Sequence, residues 1–468
     1  MEPQTFLGER VTLHAGDCLD VIRGFADSTF DSVVTDPPYA LVSIAKRFGK
    51  AGAKPTRDGD VYSRASAGFM GKAWDTGERA FAVEFWEQVF RVMKPGGHVV
   101  AFAGTRTYHR LAVAIEDAGF EIRDQIGWLY GSGFPKSHDV SKAIDRALGA
   151  QRQVIAEGAP VKRMIPGADQ AKAGWEKNNG RVFVPTVTVA GSNEAAAWQG
   201  WGTALKPAWE PMVLARKPIA GTVAENVLEH GTGALNIDGC RVDGGKAVPA
   251  SPRRAAQGAA YGDLSKDPGT GGGWDPTLGR WPANVVHDGS DEAIAAFPSE
   301  AGGSGKASGP TLRDGNTSVA RGKFNGLADG VEPAFYGDSG SAARFFYSAK
   351  ADAHDRVGSK HPTVKPVDLM QWLVRLVTPK GGLVLDPFAG TGTTGEAAWR
   401  EGMRAVLVER EEEYRADVAR RMRLADSPSA RAAAVAAARA RPAPSAPSLF
   451  DALEAPPLAP ALDVNDQP

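Results

Sequence analysis

The feature that most restricts the fold is a short apolar run, Gly382-Leu383-Val384-Leu385, which breaks into Asp386-Pro387-Phe388-Ala389-Gly390-Thr391-Gly392-Thr393-Thr394-Gly395 and then into a helical pattern. A strand that turns through glycines straight into a helix is the unit from which helix-covered parallel sheets are built, and that unit binds nucleotide-like cofactors. Gly390, Gly392 and Gly395 satisfy the dinucleotide fingerprint. Glu409 ends the next apolar run, residues 405–408, near the spacing of a ribose-binding acid. Asp386 separates the candidates. A carboxylate at the mouth of the loop repels a pyrophosphate but suits the ammonium and sulfonium of S-adenosylmethionine, which favours that donor over NAD. No Lys-Ser/Thr pair follows the glycines, so a nucleoside triphosphate fits worse still.

The first third of the chain repeats the same alternation. Strands are expected at residues 12–15, 32–35, 98–103 and 122–129, and helices at 20–25, 81–93 and 108–117, with Lys94-Pro95-Gly96-Gly97 turning the second helix into its strand. After Pro366, Leu369, Met370, Trp372, Leu373, Leu376 and Val377 recur at helical spacing, mostly as a core stripe. The fold class is therefore α/β, a Rossmann-like parallel sheet with helical crossovers. Ligands of such sheets lie beyond the carboxyl ends of the strands. Asp17, Asp36, Asp386 and Glu409 all follow strand-like runs and should converge on one rim.

Asp36-Pro37-Pro38-Tyr39 closes the run Phe30–Thr35. A Pro-Pro turn after a strand often only stops the strand. Here the residue types also suit one chemistry, methylation of an amino group on a nucleic-acid base. An exocyclic base amine is a poor nucleophile because its lone pair is delocalised into the ring, and hydrogen-bond acceptors localise it. The Asp36 carboxylate can take one amine hydrogen and the Pro37 carbonyl, held by Pro38, the other, while Tyr39 stacks on the base.

A chain of 468 residues with 43% hydrophobic content holds one large elaborated domain or two. No run of 18 apolar residues exists and the start, Met1-Glu2-Pro3-Gln4, is unlike a signal peptide, so a cytoplasmic protein is expected. Two cysteines, Cys18 and Cys240, cannot make a zinc site and read as ordinary thiols; no metal is expected. A net charge of -1 is low for a nucleic-acid binder. The distribution is uneven, however: Asp451, Glu454, Asp463 and Asp466 crowd the C-terminus, while Arg181, Lys206, Arg216, Lys217, Arg241, Arg253 and Arg254 lie in the middle.

Residues 149–199 read as a polar, irregular insertion, and 221–342 are rich in Gly, Pro and Ser yet carry Trp274 and Trp281, following Trp198 and Trp201. Aromatics interleaved with Arg and Lys suit groove contacts and stacking on displaced bases. Residues 40–79 form a basic, glycine-rich stretch with Lys46, Arg47, Lys50, Lys54, Arg57 and Arg64, suited to closing over a flipped base.

In these motifs the chain resembles the amino-methyltransferases of DNA, specifically the circularly permuted beta class, in which the catalytic tetrapeptide precedes the cofactor loop. The resemblance covers the first 135 residues and residues 198–424. Gly16-Asp17-Cys18 is similar to motif III, whose Asp contacts the cofactor adenine. His361-Pro362-Thr363-Val364-Lys365-Pro366 is similar to motif X, lining the methionine end of S-adenosyl-L-methionine. Lys206-Pro207-Ala208-Trp209-Glu210-Pro211 is similar to a His-Glu segment of the family, with Trp209 in place of His. The resemblance implies Asp36, Pro37, Pro38 and Tyr39 as catalytic. It implies Asp17, His361, Thr363, Lys365, Asp386, Pro387, Phe388, Ala389, Gly390, Gly392, Thr393 and Glu409 as cofactor-binding. Duplex DNA would be the substrate, N6 of adenine the target and N4 of cytosine the alternative, with or without a restriction endonuclease as partner. The implied organisation is a catalytic half (1–148), a polar insertion (149–199), a return to the core (200–220), a target-recognition region (221–342), a cofactor half (343–426) and a disordered Ala/Pro-rich tail (427–468). Two other classes stay open: an NAD-dependent oxidoreductase, which leaves Asp36 to Tyr39 unexplained, and a non-catalytic DNA-binding protein, which has no need of Asp36 and Asp386.

Overall fold

Val33 and Val34 are both fully buried, on opposite faces of one strand, and this requires helices on either side. The computed structural model describes residues 2–39, 79–131, 133, 137–157, 161–162, 169–171, 174–176, 182–184, 186–242, 279–299, 341–349, 353–359, 361 and 363–440. Ten strands form the main sheet: β1 (Gln4–Phe6), β2 (Val11–Ala15), β3 (Phe30–Thr35), β4 (Met93–Phe102), β5 (Glu121–Leu129), β6 (Trp209–Arg216), β7 (Val285–His287), β8 (Tyr347–Ser348), β9 (Leu383–Asp386) and β10 (Arg404–Glu409). Their order is β1-β2-β10-β9-β3-β4-β6-β5-β7-β8. From β2 to β4 the strands are parallel, and β6 runs antiparallel to both β4 and β5. Strands β9 and β10, which come late in the sequence, insert between β2 and β3. The two halves thus build one sheet.

The faces divide cleanly. Val34, Val100 and Val384 pack with Leu369, Trp372, Leu373 and Ala397 from the helices Val367–Val377 and Thr393–Arg400. Val33, Val99 and Leu385 point the other way, onto Ile22, Phe85, Trp86, Leu111 and Ile115 from the helices Cys18–Arg23, Val83–Val92 and Tyr108–Asp117. The expected stripe behaves as core. Trp372 is fully buried, stacks on Tyr347 at 5.5 Å and donates its indole N–H to the Cys240 carbonyl.

Two expectations change. Lys94-Pro95-Gly96-Gly97 lies inside β4, which starts at Met93; buried Asn226 fixes this segment by donating to the Pro95 carbonyl. The insertion is not irregular. Its described residues hold three antiparallel pairs, nested in sequence, of which the outermost joins Gln153–Glu157 to Thr186–Val189, and the short helix Asn193–Ala197; the helix Val140–Leu148 leads into it. Its base is tied by Asp145, which accepts from Arg152, Gly191 and Ser192. At the start of the tail, where the sequence allows an Ala-rich helix, residues 428–440 form the helix Pro428–Ala440, whose Arg431 pairs with buried Glu396. Cys18 and Cys240 are buried free thiols pushed up to about 12 by burial, which makes both inert. Most of the basic stretch 40–79, together with Trp274, Arg253, Arg254, Pro362 and residues 441–468, lies outside the described residues. Among the described residues no helix is long and apolar enough to cross a membrane.

Candidate active site

Strands β2, β10, β9 and β3 are consecutive neighbours, and Asp17, Glu409, Asp386 and Asp36 stand at or just past their carboxyl ends. Neighbouring strands are ~4.8 Å apart, so the four acids form one row, as their positions after apolar runs implied.

Each acid has different partners. Asp17 caps the helix Cys18–Arg23 through the Leu19 N–H (3.0 Å) and pairs with Arg79. Asp386, 3% exposed, accepts from the hydroxyls of Thr35 (2.7 Å) and Thr394 (2.5 Å) and from the Phe388 N–H (3.1 Å). Burial nevertheless pushes its carboxyl up to about 6. Glu409, also raised by burial, to about 7, accepts from the Gly390 N–H (2.9 Å) and the Glu411 N–H (2.8 Å). One acid thus ties the glycine loop to β3 and the other ties it to β10.

The loop follows from its residues. Gly390 and Gly392 take φ of 52° and 76°, the left-handed region where a side chain is strained. Gly392 starts the helix Thr393–Arg400, and the Ala389 N–H bonds to the Val408 carbonyl. Pro387 and Ala389 are buried, Phe388 packs against Phe85 at 5.2 Å, and the Thr393 and Thr391 hydroxyls are 3.3 Å apart. A Cβ on Gly390 would lie 3.4 Å from His361 Nε2, so this histidine closes over the loop. His361 meets the Tyr414 ring edge-on at 4.5 Å and accepts the Thr363 N–H at Nδ1; burial lowers its pKa, which keeps it neutral.

The end of the rim at Asp36 to Tyr39 is distinct. Lys365 is placed on the tetrapeptide and not in the glycine loop: its ammonium lies 2.5 Å from Asp36 Oδ2, 3.2 Å from the Tyr39 hydroxyl and 3.3 Å from Glu210 Oε2. Burial alone would lower the Lys365 pKa, but the charges of Asp36 and Glu210 outweigh it and raise it. Tyr39 donates to Glu210 at 3.2 Å, and its own carbonyl accepts from Thr107. Burial, then the two carboxylates, pushes the Tyr39 phenol well up, so it stays protonated. Asp36 Oδ1 is buried and has no hydrogen-bond partner among the described residues. Pro37 is buried and Pro38 partly so.

Glu210 was quoted in the sequence without a role. Its signal was an acid between Trp209 and Pro211 at the head of an otherwise apolar strand. Trp209 lies flat against β5, where a Cβ on Gly127 would come within 1.8 Å of its ring. Thr35, Thr394 and Thr107 were missed, since a threonine in or beside a strand carries no distinctive pattern.

Of the residues read as a target-recognition region, those described bring Arg241 over Trp281 (5.1 Å) and Arg280 over the ring of Phe345 (4.2 Å), which lies just beyond that region and is also faced by Arg344 (4.3 Å). Trp281 is 64% exposed. Trp198 and Trp201 pack edge to face at 5.0 Å, also exposed.

A family model described as DNA methylase, of N6/N4 type, matches residues 30–420. The type II methyltransferase M.HindIII of Haemophilus influenzae is 30% identical over 158 residues, 33% of this chain and 38% of that protein. M2.DpnII of Streptococcus pneumoniae is 42% identical over 60 residues, 13% and 22% of the two chains. The chain thus spans well under half the length of these curated relatives. The PvuII DNA methyltransferase, cytosine-N4-specific, overlays at a TM-score of 0.40 with 14% identity, covering 93% of each chain; a likeness of that grade decides neither cofactor nor base.

Proposed function

The chain belongs to the DNA methylase family of N6/N4 type, and from that premise we propose that it methylates an exocyclic amine of duplex DNA, N6 of adenine, with S-adenosylmethionine as donor. The observation that carries the reading is Asp36 Oδ1, a buried acceptor at a strand end without a partner among the described residues, next to a protonated tyrosine. An unmade hydrogen bond at a buried carboxylate is costly unless a ligand supplies the donor.

The residues present fit the donor. Asp386 and Glu409 give a cationic, diol-bearing ligand its counter-charge and acceptors, and His361 closes over the loop with its Nε2 3.4 Å from where a Cβ on Gly390 would lie. Asp17, His361, Thr363 and the loop from Asp386 to Thr393 would hold it. When bound, S-adenosylmethionine supplies a methyl group already activated by the sulfonium. The chain's own residues do the rest. Asp36 Oδ1 and the Pro37 carbonyl accept the two amine hydrogens, Tyr39 stacks on the extruded base, and the Asp36 charge stabilises the positive charge that develops on nitrogen. The surplus amine proton is lost to water. Arg241, Trp281 and Arg280 support a reading of 221–342 as the part that meets DNA.

The test is label transfer from methyl-tritiated donor to duplex DNA by the wild type and by Asp36→Ala. Label in DNA that disappears with Asp36 supports the reading. Transfer to RNA or protein only, or tight NAD binding that depends on Glu409, overturns it.

A further inference from the structure

We propose that Glu210 is a positioning residue for the transfer, acting through Lys365 to hold Asp36 so that Oδ1 alone faces the target amine. The inference rests on the reading of Asp36 as the amine acceptor. The three residues arrive from separate elements: Asp36 from the end of β3, Glu210 from β6, and Lys365 from the segment before the helix Val367–Val377. An ammonium has three N–H donors. Those of Lys365 face Asp36 Oδ2 (2.5 Å), Tyr39 OH (3.2 Å) and Glu210 Oε2 (3.3 Å), and Tyr39 closes the ring by donating to the same Glu210 oxygen. With the Phe102 and Tyr39 rings 4.8 and 5.4 Å from the nitrogen, the Lys365 side chain is only 7% exposed, which confines the ammonium to this cluster. A carboxylate gripped at Oδ2 cannot rotate freely about its own axis. Oδ1 is therefore fixed and buried, and among the described residues it has no hydrogen-bond partner.

Charge gives the arrangement a second consequence. Asp36 and Lys365 cancel, and Glu210 leaves the cluster with one net negative charge. During transfer the amine lone pair forms the N–C bond while the S–C bond breaks with its electron pair returning to sulfur, and the surplus amine proton goes to water. Positive charge moves from sulfur to nitrogen, toward this cluster. Glu210 touches neither atom. It keeps the site negative while Lys365 does the holding.

The test uses E210Q, K365M and the double variant, each shown to keep the wild-type melting temperature. It combines kcat and KM on duplex DNA with calorimetric titration of S-adenosylmethionine and its neutral thioether product, S-adenosylhomocysteine. E210Q should lower kcat about 10- to 100-fold with KM for DNA within about 2-fold. It should weaken the sulfonium relative to the thioether by about 3- to 10-fold, a readout that loss of packing would not move. In the K365M background, E210Q should cost clearly less in kcat than it does in the wild type, because the residue through which it holds Asp36 is gone and only the loss of its charge remains. Wild-type kcat in E210Q, or losses that simply multiply in the double variant, overturn the inference. A wild type that transfers no methyl group to DNA sinks the functional reading instead, and the binding ratio then decides the electrostatic role alone.

Discussion

Replacing Asp386 by Asn should make the protein gain stability over wild type as the pH rises. The carboxyl is 3% exposed, receives three hydrogen bonds, and is still pushed up from 3.8 to about 6 by burial. At about 1.4 kcal/mol per pH unit, that rise corresponds to roughly 3 kcal/mol. The folded-state value lies above the unfolded one. The contribution of the group is therefore fully present below pH 3.8 and is lost as the pH climbs through about 6. Asn cannot ionise, keeps an acceptor for Thr35 or Thr394, and escapes this loss. The difference in unfolding free energy between the two proteins, from urea titrations between about pH 4 and pH 8, should shift by about 3 kcal/mol in favour of Asn. Glu409, raised to about 7, titrates in both proteins and largely cancels. Saturating S-adenosylmethionine should shrink the shift, because its cationic end favours the ionised acid. A difference independent of pH, or one in which Asn loses ground as the pH rises, would refute the burial reasoning.

Asp36→Ala should cut single-turnover methyl transfer by on the order of 100- to 1000-fold while calorimetry shows the donor affinity nearly unchanged. Tyr39→Phe should keep much of the activity and Tyr39→Ala lose most of it; equal damage from both would sink the stacking role. Gly127→Ala drives a methyl group to within 1.8 Å of the Trp209 ring, so it should destabilise by about 1–3 kcal/mol. Adding Trp209→Phe, whose ring is shorter than the indole, should recover much of this in thermal unfolding.

Most of the sheet was legible because its strands and helices differ in period. The stripe from Leu369 to Val377 and the paired valines of β3 and β4 each allow one assignment, and the structure agrees. The row of acids was legible for a topological reason, since residues just past parallel strands must share a rim. Positions such as Thr35 and Glu210 were not. Their roles depend on contacts with residues 351 and 155 positions away, Asp386 and Lys365, which no local pattern records. The insertion 149–199 was misread because its short pairs are held by Asp145 and Arg152, a polar network with little hydrophobic alternation. The Lys94–Gly97 segment was misread because its shape is set from outside, by Asn226. Lys365 was grouped by motif with the cofactor loop, whereas its nearest partner is Asp36.

The most direct test of the central claim is mass spectrometry of nucleosides from duplex DNA incubated with the protein and S-adenosylmethionine, with Asp36→Ala run alongside. The account predicts N6-methyladenine in the wild-type sample and none with Asp36→Ala. N4-methylcytosine as the sole product would contradict the adenine assignment while keeping the amine chemistry. Unmodified DNA from a protein shown to bind the donor would contradict the claim itself.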